Sequence, residues 1–133
     1  MSVKKKKLLD SFALLVYLKG EKGSEKVKNL FRSEDAQLLM NDINLGETYY
    51  ILSRERGIKE AEYFINVIFP NLPIAHVVNS LSEVLDAARI KSEHAISYAD
   101  CFAAATAIRE GASIVTGDPE FKKLGGKVEI IWI

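Results

Sequence analysis

Short apolar runs alternate along the chain with longer stretches in which apolar residues recur every three or four positions. The first pattern predicts strands covered on both faces; the second predicts helices with a buried stripe. The run at 5–9 ends in Leu8-Leu9 and passes through Asp10-Ser11 into a helical stretch at 12–18, punctuated by Gly20 and Gly23. A helix over 24–31 puts Val27, Leu30 and Phe31 on one face. A strand at 37–40 leads into a helix over 42–56 with Asn41-Asp42 at its cap, broken by Gly57. A further helix over 58–69 stops at Pro70 and Pro73, followed by a strand at 74–78. Ser80-Leu81-Ser82-Glu83 has capping-box form and starts a helix to 92. A helix over 97–110 closes at Gly111, a strand fills 112–115, Asp118-Pro119-Glu120 opens a short helix ending near Gly125-Gly126, and 128–133 is the last strand.

Strands separated by helices require crossover connections, hence a parallel sheet. The expected fold class is α/β: three layers, α/β/α, around a central parallel sheet of about five strands. In such open sheets, function sits beyond the carboxyl ends of the strands. Asp10 follows the first strand and Thr116-Gly117-Asp118 follows the fourth, so both carboxylates are expected at the same sheet edge.

The 133 residues suit one domain spanning 1–133, and 48% apolar with 27% charged residues is globular composition. Lys4-Lys5-Lys6-Lys7 before an apolar stretch faintly imitates a secretory leader, but Asp10 interrupts it and no small-residue cleavage site follows. The stretch reads as a strand running into a helix, and no segment is a membrane candidate. Cys101 stands alone, which excludes an intramolecular disulfide and makes the reducing cytoplasm the expected compartment. Eighteen basic side chains balance eighteen acidic ones, which argues against a bulk polycation while leaving room for a local basic patch.

Each acid of interest also has a structural reading. Asp10 can cap the helix at 12, Asp118-Pro119 is a common helix start, and Ser97-x-x-Asp100 can serve as a capping box. Glu47 sits inside a helix beside Ile43, Tyr50 and Ile51 at helical spacing, where it needs a cation, a solvated cleft or a salt bridge to Arg54 or another base. Carboxylates that share one cleft repel each other, and a divalent cation resolves the repulsion. All-oxygen ligands suit Mg²⁺ or Mn²⁺, ions that assist in-line displacement at phosphate. Spacing brings Asp10 and Asp118 together; it does not place Glu47 or Asp100.

Four motifs, in order, carry a family likeness: Leu8-Leu9-Asp10-Ser11 with Ala13-Leu14-Leu15; Ile43-Asn44-Leu45-Gly46-Glu47; Ser97-Tyr98-Ala99-Asp100 with Ala103-Ala104-Ala105-Thr106-Ala107; and Ile114-Val115-Thr116-Gly117-Asp118-Pro119-Glu120-Phe121. Together they resemble the PIN-domain family, and within it the VapC-type toxins of prokaryotic toxin–antitoxin pairs. The resemblance spans essentially the whole chain. It implies a Mg²⁺- or Mn²⁺-dependent ribonuclease whose acidic site is Asp10, Glu47, Asp100 and Asp118. Asp10, Asp100 and Asp118 would hold one or two cations, and Glu47 would hold a cation or orient the water. Ser11 and Thr116 would order the carboxylates, while Glu120 stays outside the core set. RNA is the implied substrate, an antitoxin that blocks the acidic site the implied partner, and a homodimer the implied assembly.

Other features weigh less. Two histidines (His76 in an apolar strand, His94 in a loop) and one cysteine cannot build an ordinary structural zinc site. Cys101 reads as packing. Lys4 to Lys7 read as a solvated strand entrance sooner than an RNA contact; Lys122, Lys123 and Lys127 are better placed for a substrate backbone. Ile58, Ala61, Ile65 and Ile68 form a helical stripe, broadened by Tyr63, Phe64, Val67 and Phe69, that is either core or a partner face. Three competing readings are a housekeeping nuclease trimming ribosomal or transfer RNA, a non-catalytic RNA- or protein-binding module, and a phospho-acceptor signalling domain. The last wants an acidic pair at the first strand and a Lys after the last, and neither is present.

Overall fold

The computed structural model describes residues 4–133. Five strands, β1 (Lys5–Leu9), β2 (Ala36–Asn41), β3 (Ile74–Val77), β4 (Ser113–Thr116) and β5 (Ile130–Trp132), form one sheet in the order β3-β2-β1-β4-β5. Every neighbouring pair is parallel. The helices are α1 (Ser11–Lys19), α2 (Ser24–Arg32), α3 (Asp42–Arg56), α4 (Ile58–Tyr63), α5 (Leu81–Glu93) and α6 (Tyr98–Glu110). A 3₁₀ segment, Pro119–Lys127, links β4 to β5. None of the described helices is long and apolar enough to cross a membrane.

Side chains alternate across a strand, so adjacent residues enter different layers. Leu8, Leu39 and Ile114 pack under α5 and α6 with Ala87, Phe102 and Ala104. Leu9, Leu38 and Val115 point the other way, against Ala13 of α1 and Val27 of α2. Met40, on that second face, joins Leu14, Leu45, Leu52 and Phe64 beneath α3 and α4. This is the three-layer arrangement the apolar runs predict, with a fully buried centre at β1 and β4. The chain leaves β1 towards β2 on one side, and β4 returns on the other. The switch of direction therefore opens a crevice between the carboxyl ends of β1 and β4.

Two expectations need correction. Strand β3 is an edge strand whose Ala75 and His76 are exposed, so it is not covered on both faces. The His76 Nδ1 atom instead meets Asp42 Oδ1 at 2.9 Å. The helix expected over 58–69 changes pitch: α4 gives way to a π-helical turn, Phe64–Ile68, and a 3₁₀ turn, Phe69–Asn71. Pro70 has no N–H and its ring crowds the carbonyl four residues back. Widening the turn before it lets the Phe69 N–H reach the Phe64 carbonyl, five residues earlier. The short helix expected after Asp118 is present as a 3₁₀ segment, which Gly125 interrupts with φ +62°.

Candidate active site

Asp10 follows β1 and caps α1. Its Oδ1 accepts from the Ala13 N–H at 2.9 Å, so the capping role is real. Its Oδ2 accepts from the Thr116 hydroxyl at 2.5 Å, and the residue is only 2% exposed. Thr116 is the last residue of β4 and not the first of the loop, which is why its side chain is held rigidly at the switch point. The same hydroxyl oxygen accepts the Asp118 N–H at 2.9 Å. Asp118 in turn caps the 3₁₀ segment through the Glu120 N–H at 2.9 Å.

Two further acids arrive on helices. Ser97 caps α6 by accepting the Asp100 N–H at 3.1 Å, which fixes the first turn and turns the Asp100 carboxylate inward. Glu47 stands on α3, half-buried, and accepts a hydrogen bond from the Ser11 hydroxyl. It makes no ion pair with Arg54, which lies over the Tyr50 ring at 5.4 Å. Of the apolar neighbours expected for Glu47, Ile43 and Tyr50 are exposed, while Ile51 lines the cleft.

Asp10, Glu47, Asp100 and Asp118 thus line one cleft of about 550 Å³, together with Ser11, Phe12, Leu15, Ile51, Ser97 and Glu120. Glu120, set apart from the core acids by sequence, lies on its rim and pairs with Lys123 at 2.8 Å. Burial is the main cause that pushes the Asp10 carboxyl up to about 7, with the charges of Asp100 and Asp118 adding to it against the hydrogen bonds from Thr116 and Ala13. Burial likewise raises Asp100 to about 7, reinforced by Asp118 and Glu47. Asp10 and Asp100 therefore hold their protons well above the ordinary carboxylate range.

The donor set is carboxylate and hydroxyl oxygen alone, which fits a hard divalent cation and not zinc. Among the described residues, no three acidic, imidazole or thiolate groups are drawn into a finished cage. Protein donors already engage both Asp10 oxygens, one Asp118 oxygen and one Glu47 oxygen, each with a lone pair to spare. A cation that keeps several waters needs few direct carboxylates and suits such a site.

The cap expected at Asn41-Asp42 is Asn41, and sequence reasoning missed the buried polar bonds that join these helices. Asn41 caps α3 through the Asn44 N–H at 2.7 Å, while its Nδ2 donates to the Thr106 hydroxyl of α6 at 3.1 Å. Asn44 Nδ2 donates to the Ala99 carbonyl at 3.3 Å. All three side chains are buried, so they tie the helix of Glu47 to the helix of Asp100. The available signal was Asn44 and Thr48 four residues apart on the buried face of α3. The lysines divide. Lys4 to Lys7 begin at the opposite edge of the sheet, where Lys6 pairs with Glu110 at 3.1 Å. Lys127 meets Glu93 and His94, and Lys123 meets Glu120.

An open parallel α/β fold that gathers four acids at its switch point defines a narrow class. The family model of the PIN domain matches residues 7–127, and the chain belongs to that family. No curated protein sequence matches the chain. Among solved structures, VapC20 of Mycobacterium tuberculosis, described as a sarcin–ricin loop cleaving toxin, superposes with a TM-score of 0.73 at 18% identity, over 90% of this chain and 95% of that one. VapBC2 of Rickettsia felis, solved on a promoter DNA fragment, gives a TM-score of 0.73 at 17% identity, over 95% and 97%. FitAcB of Neisseria gonorrhoeae gives 0.67 at 20% identity, over 94% and 96%. At these identities the likeness is one of fold.

Proposed function

We propose that this chain is a divalent-cation-dependent endoribonuclease and the toxin of a toxin–antitoxin pair. The observation that carries the reading is the convergence of Asp10, Glu47, Asp100 and Asp118, from four separate elements, on one cleft at the sheet's switch point. Asp10, Asp100 and Asp118 would hold Mg²⁺ or Mn²⁺, with Glu47 as a further ligand or as the group that orients water. When bound, the cation supplies Lewis-acid activation of water and neutralises charge on the phosphate. The chain's own residues do the positioning. Thr116 fixes Asp10 and the Asp118 backbone, Ser11 fixes Glu47, and Ser97 fixes the turn that carries Asp100.

The partner reading rests on a different surface. Ile58, Tyr63 and Val67 are exposed along α4 and the π turn, whereas Ala61, Phe64 and Phe69 are buried. The stripe expected from Ile58 to Ile68 is thereby rotated, with Ile58 outside. Beside it runs a groove of about 730 Å³ lined by Leu45, Tyr49, Ile65, Phe69 and Ile74. This apolar surface supports a protein partner, a second copy of the chain or the antitoxin. A cytoplasmic setting is in keeping with the single, buried, unpaired Cys101.

The test is RNA cleavage by the purified chain in EDTA, Mg²⁺ or Mn²⁺, beside the Asp10→Asn/Asp118→Asn double variant. Cation-dependent cleavage that the folded variant lacks is the expected result. Wild-type cleavage by that variant would remove the acids from the mechanism. Absence of both cleavage and Mn²⁺ binding would leave a non-catalytic module.

A further inference from the structure

The acidic cleft poses a difficulty for a polyanionic substrate, because nothing in its lining is cationic. The nearest answer lies one strand away. In the register of β4 and β5, Trp132 is the partner of Thr116, so its backbone sits about 5 Å to the side of the site and level with it. Ile131 and Ile133 pack against the α1–α2 layer and Ile130 against the α5–α6 layer, which puts the indole on the side of the 3₁₀ segment that follows Asp118. Trp132 is 39% exposed, a large share for a side chain that dominates most cores it enters. Lys122 Nζ lies 5.8 Å from the ring centroid, within cation–π range, and Lys26 Nζ donates to the Trp132 carbonyl at 3.4 Å. Among the described residues neither lysine has an acidic partner, in contrast to Lys123 and Lys127.

An exposed ring flanked by two unpaired cations, at the level of a phosphodiester-cutting site, is the combination that binds single-stranded nucleic acid: the ring takes a base and the cations take the backbone. We propose that Trp132, with Lys122 and Lys26, is a base-stacking anchor that holds a single-stranded RNA segment beside the acidic cleft. The proposal rests on the ribonuclease reading for its substrate, and it deepens that reading by making unpaired RNA the preferred form. Lys122 stands on a flexible four-carbon stem and can turn from the ring to a phosphate oxygen as the base arrives. Duplex RNA keeps its bases stacked on one another and cannot use the ring.

Trp132 is the only tryptophan, so its fluorescence reports the platform directly and without turnover. The full chain is titrated in EDTA with a short single-stranded oligoribonucleotide, with the same sequence as a blunt duplex, and with heparin. Quenching by the single strand, and little by duplex or heparin, is expected. In cleavage assays Trp132→Ala raises KM about five- to a hundredfold while kcat holds, the range that loss of one base stack implies. Trp132→Phe keeps a ring and recovers most of that loss. Lys122→Gln and Lys26→Gln each lower the salt dependence of binding by about one phosphate contact. Equal quenching by heparin, or a wild-type KM in folded Trp132→Ala, would overturn the anchor while leaving the nuclease intact. Quenching by single-stranded RNA in a chain that cuts no RNA would uphold the anchor and remove the nuclease.

Discussion

The Thr116 hydroxyl donates to Asp10 Oδ2 at 2.5 Å, across the boundary where the sheet reverses its direction of growth. Its oxygen also accepts the Asp118 N–H, so one buried side chain sets the spacing of two acids. That hydrogen bond favours the charged form of Asp10. Thr116→Val removes it at nearly constant volume. The Asp10 carboxyl then holds its proton more tightly, and Mn²⁺ affinity near neutral pH falls about 10- to 100-fold, as for other residues that orient metal ligands. Thr116→Ser restores most of it. Calorimetric titration with Mn²⁺ decides the matter; unchanged affinity in Thr116→Val would mean the hydroxyl only fills space.

Burial makes the acidic cleft a pH-dependent burden on the cation-free fold. Asp10 and Asp100 titrate near 7 in the folded chain, against 3.8 as the ordinary value. Between those values the folded state binds more protons than the unfolded state, so stability falls as pH rises through this window. The chain in EDTA should therefore melt at a higher temperature near pH 5 than near pH 8. Asp10→Asn, which cannot ionise, flattens the slope. Saturating Mg²⁺ or Mn²⁺ raises Tm more at pH 8 than at pH 5, because cation binding must displace protons at the lower pH. A Tm in EDTA that climbs from pH 5 to 8 would contradict the assignment.

Gly117 is shaped by its neighbour. A Cβ there would stand 2.3 Å from Cε1 of Phe12, whose ring lines the cleft and is 40% exposed. Gly117→Ala must push that ring outward, at a cost of about 1–3 kcal/mol typical of overpacking. In a Phe12→Ala background the three nearest atoms are gone and the same substitution should cost much less. A double-mutant cycle by urea denaturation measures the coupling. Additive costs would place the strain of Gly117→Ala elsewhere.

The legible parts of this fold are those written locally. Leu8-Leu9, Leu38 to Met40 and Ile114-Val115 read as buried strands because both sheet faces are covered there. The α/β pattern then predicts Asp10 and Asp118 at one edge without further information. Glu47 and Asp100 reach the cleft only through helix packing across residues far apart in sequence, which no periodicity encodes. Family likeness alone brought them into the set. Asn41 reads from the sequence as a cap, but its bond to Thr106 and that of Asn44 to Ala99 do not, because inward polar residues of α3 and α6 imitate the solvent face of a helix. The outward-facing β3 imitates a buried strand for the converse reason: Ile74 and Val77 are apolar although their strand lies at the edge. The π turn before Pro70 leaves no mark in hydropathy, since the extra residue per turn is a matter of backbone register.

The Asn41–Thr106 contact is where fold and site are most tightly coupled. Asn41 performs two jobs, capping α3 and bonding α6, and both its partners are buried. Asn41→Ala leaves the Asn44 N–H and the Thr106 hydroxyl without their partner. Loss of the cap is worth about 0.5–2 kcal/mol and the orphaned buried group a further 1–3 kcal/mol. Asn41→Asp keeps the cap acceptor, and the Thr106 hydroxyl can still donate to it, but it puts a carboxylate at a fully buried position. We expect Asn41→Asp to unfold at lower denaturant than wild type at pH 8 and to recover near pH 5, where the new carboxyl is protonated. Thr106→Val isolates the bond between helices: it should cost less stability than Asn41→Ala and still weaken Mn²⁺ binding, since α3 and α6 carry Glu47 and Asp100 on either side of the joint. Wild-type Mn²⁺ affinity in folded Thr106→Val would confine the contact to stability and free the acidic cleft from it.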